Sequence, residues 1–235
     1  MAIHNASLTL RVLARLLSYP GAELHAHLAA MRDVLHSERA IGADRLVELD
    51  ALIDSLIRAD AMDSEAAYVE LFDRGHSTSL HLFEHVHGDS RDRGPAMIDL
   101  AQTYEKAGLY LAPDELPDYL PAVLEFVSTQ PPKEARAFLA EMAHIFNTLF
   151  GALQQRQSAY ASILGALLEL AGEKAQPVRQ APEEALDASW VEPPAFDGCS
   201  SQGQAKPGQP QPIHIVRAEP GRSLPKTTSG QGASA

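Results

Sequence analysis

Cysteine is almost absent: Cys199 stands alone among 235 residues. No disulfide framework within the chain can brace the fold, and a reducing compartment is expected. Aromatic residues are scarce too, at 6% against 45% hydrophobic overall. A core of Leu, Ala, Val and Ile suits helices packed on helices better than a β-sandwich. No apolar run reaches the ~18 residues of a membrane span. The apolar stretch 8–17 is interrupted by Arg11 and Arg15 and has no basic region ahead of it. That argues against a signal peptide, so a cytoplasmic location without direct membrane insertion is expected. Neither a Gly-rich phosphate loop nor a nucleophile elbow is present, which leaves nucleotide and nucleophilic-hydrolase chemistry without a motif. Positive charge is in deficit as well, with a formal net charge of −12. After Cys199 the chain carries +3, from Lys206, Arg217, Arg222 and Lys226 against Glu219, which leaves −15 on residues 1–199. Such a body repels nucleic acid and attracts basic partners.

What is present reads as helix. Leu8, Val12, Leu13, Leu16 and Leu17 recur at helical spacing, with Ser7 placed as an N-cap and Pro20 just past the end. Leu24, Leu28, Met31 and Leu35 form a second stripe, and Leu46, Leu49, Ile53, Leu56 and Ile57 a third. Ser64 is placed to cap a short helix carrying Tyr68, Leu71 and Phe72, with Gly75 at its stop. Residues 80–87 form another short helix, closed by Gly88. Pro95 suits the first turn of the next, which stops at Gly108. After a loop over 112–118, Asp118 is placed to cap a helix with Leu120, Val123, Leu124 and Val127 facing inward. One long helix should follow Pro131-Pro132, from Ala135 to Leu153, and Ser158 should cap the last, through Leu170. Beyond Gly172 the composition changes: nine of the 16 prolines and six of the 15 glycines fall in 173–235. The expected architecture is all-α, a single helical-bundle domain over 3–172. A Pro/Gly/Ser/Gln-rich tail, mostly disordered, follows over 173–235, with a docking island at 189–197.

The stretch 68–126 concentrates histidines, aromatics, charges and helix breakers. His81-Leu82-Phe83-Glu84-His85 matches the H-x-x-E-H pattern of inverted zinc peptidases, in which two histidines one turn apart share a zinc and the glutamate activates water. Those enzymes need a distant acidic third ligand, and 142–168 contains no Asp or Glu. The competing reading puts these histidines on a polar or partner-facing surface. Glu115, Asp118 and Glu125 could act as paired acid–base carboxylates, or simply cap a helix and face water. Tyr68, Leu71 and Phe72 fit a core. Arg74, Arg91 and Arg93 are close enough in sequence to cooperate on an anion, or else pair with neighbouring carboxylates.

The run Tyr68-Val69-Glu70-Leu71-Phe72-Asp73-Arg74-Gly75, followed by residues 79–94, closely resembles the NarJ-type chaperones that assemble respiratory nitrate reductase. Glu115-Leu116-Pro117-Asp118-Tyr119-Leu120 with Leu124-Glu125-Phe126 resembles the E-x-P-D signature of the wider, TorD/DmsD-like family of redox-enzyme maturation chaperones, and Leu16-Leu17-Ser18-Tyr19-Pro20 matches its opening motif. The resemblance covers about residues 8–172 plus the island around Trp190, and implies an all-α chaperone fold without catalytic activity; no cofactor or metal is expected. The implied partner is the apo catalytic alpha subunit of the reductase, including its N-terminal peptide, with molybdenum-cofactor biosynthesis proteins as further partners. On this reading Tyr68, Leu71, Phe72, His76, Phe83 and Tyr119 are client anchors. Glu84, Glu115, Asp118 and Glu125 supply negative field or caps, and His87, Pro117, Leu120 and Phe126 complete the client-binding set. The alternative is a zinc-dependent hydrolase built on His81, Glu84 and His85.

Overall fold

A computed structural model describes residues 5–88, 90–113 and 115–176. Among them are ten α-helices: α1 (Ser7–Leu17), α2 (Ala22–Glu38), α3 (Ala43–Arg58), α4 (Ala61–Tyr68), α5 (Leu82–Val86), α6 (Arg93–Lys106), α7 (Leu120–Ser128), α8 (Pro132–Glu141), α9 (Ala143–Gln155) and α10 (Ala161–Ala171). A π turn (Val69–Asp73) continues α4, and a short 3₁₀ turn (His76–Thr78) follows it. The only strand-like feature among the described residues is an isolated antiparallel bridge between His81 and Tyr119. The fold is therefore all-α, as expected.

The core explains which helices lie innermost. In α7 every residue except Glu125 is buried, and α10 is buried on nearly all sides. A helix apolar around its whole circumference must be enclosed by others. Helix α1 packs on α7 and α2, while α10 packs on α9, α8 and α3. The α2 stripe of Leu24, Leu28, Met31 and Leu35 is buried as its spacing required. Each such side chain contributes roughly 1.5–3 kcal/mol through removal from water. The last helix ends at Gly172 with φ +83°, the left-handed conformation that glycine adopts without a Cβ penalty.

Several local expectations are corrected. Ser7 is the first helical residue rather than the cap, and its hydroxyl donates to Ser128 O at 2.6 Å, tying α1 to α7. Leu8 and Ile57 are 49% and 50% exposed, so they leave their stripes. Asp60, not Ser64, caps α4, accepting from Met62 N at 2.9 Å, and Ser64 lies within that helix. The expected long helix from Ala135 breaks at Met142 into α8 and α9. Ser158 accepts from Tyr160 N at 3.3 Å in the turn ahead of α10 and does not cap the helix itself. Of the tail, only 173–176 is described: Ala175 packs against the core and Gln176 N donates to Asn147 Oδ1 at 2.7 Å. The rest of the tail, with the docking island at 189–197, lies outside the described residues.

Candidate functional site

Asp118 organises one side of the molecule. It is 0% exposed, and it serves α5 rather than the helix that follows it. Its Oδ2 accepts from Phe83 N at 3.2 Å, its main-chain oxygen accepts from Leu82 N at 3.0 Å, and its Oδ1 lies 3.4 Å from His81 Nδ1. Arg93 Nη2 of α6 stands 3.8 Å from the same carboxylate and 3.4 Å from Glu84. Helix α7 receives no side-chain cap from its N-cap residue, Tyr119, or from any other of the described residues. The chain direction explains the correction: Leu120 N donates to Leu80 O at 2.9 Å, so 80–82 and 118–120 run antiparallel and carry Asp118 to the open end of α5. A buried carboxylate is tolerable there because backbone N–H, imidazole and guanidinium all converge on it. The hydrogen bond to Asp118 raises the His81 pKa above 6.5, outweighing burial and Arg93.

This arrangement gives the zinc reading no support. His81 sits outside α5, with Nδ1 turned to Asp118, while His85 Nε2 is bonded to Ser79 O at 2.8 Å. The two imidazoles therefore do not share a helix face toward Glu84. No cluster of three metal-ligating side chains forms among the described residues. Nor do the arginines pool their charge: Arg74 pairs with Glu70 at 3.0 Å, and Arg93 is taken up by Glu84 and Asp118.

An aromatic cluster adjoins the contacts of Asp118. The Tyr68 hydroxyl donates to Leu17 O at 2.7 Å and lies 3.2 Å from the Tyr119 hydroxyl. The Tyr68 ring contacts Phe72 at 4.8 Å, and Phe72 meets Tyr160 at 5.1 Å. Burial pushes the Tyr160 phenol up to about 12. The π turn keeps Phe72 on this cluster, and Gly75 closes it: a Cβ there would stand 2.9 Å from Leu71 O.

A groove opens beside these elements. Arg11 and Arg15 of α1, Ala122, Glu125 and Phe126 of α7, and Leu109, Tyr110, Leu111 and Glu115 of the α6–α7 connection line a cavity of about 440 Å³. Tyr104 and Phe126, 4.8 Å apart, form part of its lining, and the Tyr104 hydroxyl donates to Pro117 O at 2.8 Å. A second, shallower depression of about 600 Å³ is lined by His81, Ala112, Glu115, Leu116 and Tyr119. Glu115 borders both. Tyr110 is 82% exposed and Leu116 44%, a large apolar exposure for one loop.

The expected client-binding residues separate into three groups. Tyr68, Phe72, Pro117, Asp118 and Leu120 are buried and line neither cavity. Glu115, Tyr119, Glu125 and Phe126 line the groove or the depression. Phe83, Glu84 and His87 are half-buried in or beside α5, with the Phe83 and His87 rings 5.4 Å apart, Leu71 is half-buried in the π turn, and His76 is exposed on the 3₁₀ turn. Sequence reasoning missed Arg11, Arg15, Tyr104, Leu109, Tyr110, Leu111 and Leu116. The available signal was an apolar run, Leu109-Tyr110-Leu111, in a loop between Gly108 and Pro113, together with two arginines one helical turn apart.

The sequence profile of the nitrate reductase delta subunit family matches residues 22–164. The chain is 42% identical over 191 residues to the nitrate reductase molybdenum cofactor assembly chaperone NarJ of Escherichia coli K12, covering 77% of this chain and 81% of that one. It is 45% identical over 148 residues to a probable chaperone of the same kind, NarW, from the same organism, covering 59% and 64% respectively. A crystal structure of a putative redox enzyme maturation protein from Archaeoglobus fulgidus superposes with a TM-score of 0.52 at 19% identity, covering 71% of this chain and 94% of that one, which is a likeness of fold.

Proposed function

The chain belongs to the nitrate reductase delta subunit family, and on that premise we propose that it is a dedicated assembly chaperone of respiratory nitrate reductase. In the cytoplasm it binds the immature catalytic alpha subunit, N-terminal segment included. It supports insertion of the molybdenum cofactor before the enzyme docks at the membrane, and it catalyses no reaction itself. Molybdenum-cofactor biosynthesis proteins are its further partners. The observation that carries this reading is the 42% identity spanning 81% of a chaperone with that name.

The groove supports a physical account of client holding. An amphipathic helix laid along it buries its apolar face against Tyr104, Leu109, Leu111 and Phe126. Such burial is worth about 25 cal/mol per Å² before the costs of association. The test is deletion of the gene in the host, followed by assay of nitrate reductase activity and pull-down of the catalytic subunit with the chaperone. The expected result is inactive reductase, apo-subunit recovered with the restored chaperone, and recovery of activity. Full reductase activity in the deleted strain, with no catalytic subunit pulled down, contradicts the proposal.

A further inference from the structure

We infer that Arg11 and Arg15 are specificity residues of the groove and receive a carboxylate carried by the client segment. This rests on the chaperone reading above and adds a chemical requirement on the client: one acidic side chain beside its apolar face. The two arginines sit four residues apart on α1, hence on one face of that helix, and both line the groove. The Arg11 side chain is exposed, and its one hydrogen bond among the described residues is from Nε to Ser128 Oγ at 3.2 Å. Ser128 is itself fixed, its hydroxyl donating to Glu125 O at 2.6 Å. The guanidinium is thus anchored at one nitrogen, with its terminal nitrogens available for the forked geometry that matches a carboxylate. Among the described residues Arg15 pairs only with Glu23, at 3.2 Å, and Glu23 is 77% exposed, so that pair is weak and exchangeable.

The opposite wall decides which anion fits. Glu115 and Glu125 line the same groove, and neither is in an ion pair among the described residues. Glu125 is the one exposed residue of an otherwise buried helix. Two carboxylates beside two guanidiniums disfavour a free dianion such as phosphate. They favour a peptide that presents both signs, acidic toward α1 and basic toward Glu115 and Glu125. The −15 charge of residues 1–199 speeds the approach of a basic client, whereas the arginines select among clients.

The experiment is calorimetric titration of the full chain with two synthetic peptides of the reductase catalytic subunit's N-terminal segment: the native one, and one with every Asp and Glu changed to Asn and Gln. The expected result is that the Arg11→Gln, Arg15→Gln double variant binds the native peptide about tenfold more weakly than wild type does. The amide peptide, already weakened on wild type, should lose little more on the variant. Arg11→Lys keeps the charge without the fork and should fall between. Thermal melts show whether each variant is folded, as expected for an exposed side chain. Equal affinity of wild type and variant for the native peptide overturns the inference alone, as does a native segment without an acidic residue, or equal loss with both peptides. A melting temperature raised by millimolar inorganic phosphate and returned to baseline by Arg11→Gln, with peptide affinity untouched, replaces it with a small-anion site. No binding of the native peptide by wild type overturns the docking reading and this inference together.

Discussion

At the residue scale, Asp118 shows how one buried carboxylate can hold two segments distant in sequence. Asp118→Ala leaves the Phe83 N–H, His81 and Arg93 without their acceptor and should cost about 2–3 kcal/mol in a urea melt. Asp118→Asn keeps an acceptor and should cost less. Hydrogen exchange locates the damage: the Phe83 amide should lose protection while the first turn of α7 keeps its own, and loosening of α7 instead would contradict the geometry. His81 adds a pH dependence. Its pKa is raised by the bond to Asp118, so its contribution is complete below about pH 6.5 and is lost as pH rises through the higher folded value. Asp118 and Glu84 favour the charged imidazole and Arg93 opposes it, with the Tyr119 ring 5.4 Å away and Glu115 across the depression. The melting difference between wild type and His81→Gln should therefore be largest near pH 6 and shrink toward pH 9. A difference constant across that range would show that the pair carries no charge-dependent stability.

At the scale of elements, the π turn and its glycine set the position of Phe72. Gly75→Ala forces a Cβ against Leu71 O and Thr78 Oγ1, and should cost about 1–3 kcal/mol through overpacking. Phe72→Ala removes a ring that is 4% exposed and should cost about 3–5 kcal/mol. Chemical denaturation measures both, and a neutral Phe72→Ala would mean that the ring is not core. An element such as α2 was legible in the sequence because its apolar spacing is local and strict. The break at Met142 was not, since the apolar stripe runs across it and only its backbone, at φ −90° and ψ 0°, records the kink. Asp118 was assigned to the nearest helix start because a capping pattern carries no information about a helix 35 residues away. The groove was half legible: Glu115, Glu125 and Phe126 lay within a dense motif. Arg11 and Arg15 read only as interruptions of an apolar run until α1 packed beside α7.

At the scale of the whole molecule, α7 and α10 are the most buried helices among the described residues, and the groove is lined from α1, α7 and the connection between α6 and α7. The described core closes within 5–176, so a chain ended after Gln176 should keep the cooperative melt of the full protein. A melting temperature lower by many degrees would show that later residues complete the core. The central claim is that this groove holds the client, and Tyr110 tests it most directly because it is 82% exposed and bears no part of the core. The measurement is calorimetric titration of the catalytic subunit's N-terminal peptide into wild type and Tyr110→Ala. The account predicts at least tenfold weaker binding by the variant at an unchanged melting temperature, as for an aromatic anchor at an interface. Equal affinity for the two proteins would contradict it.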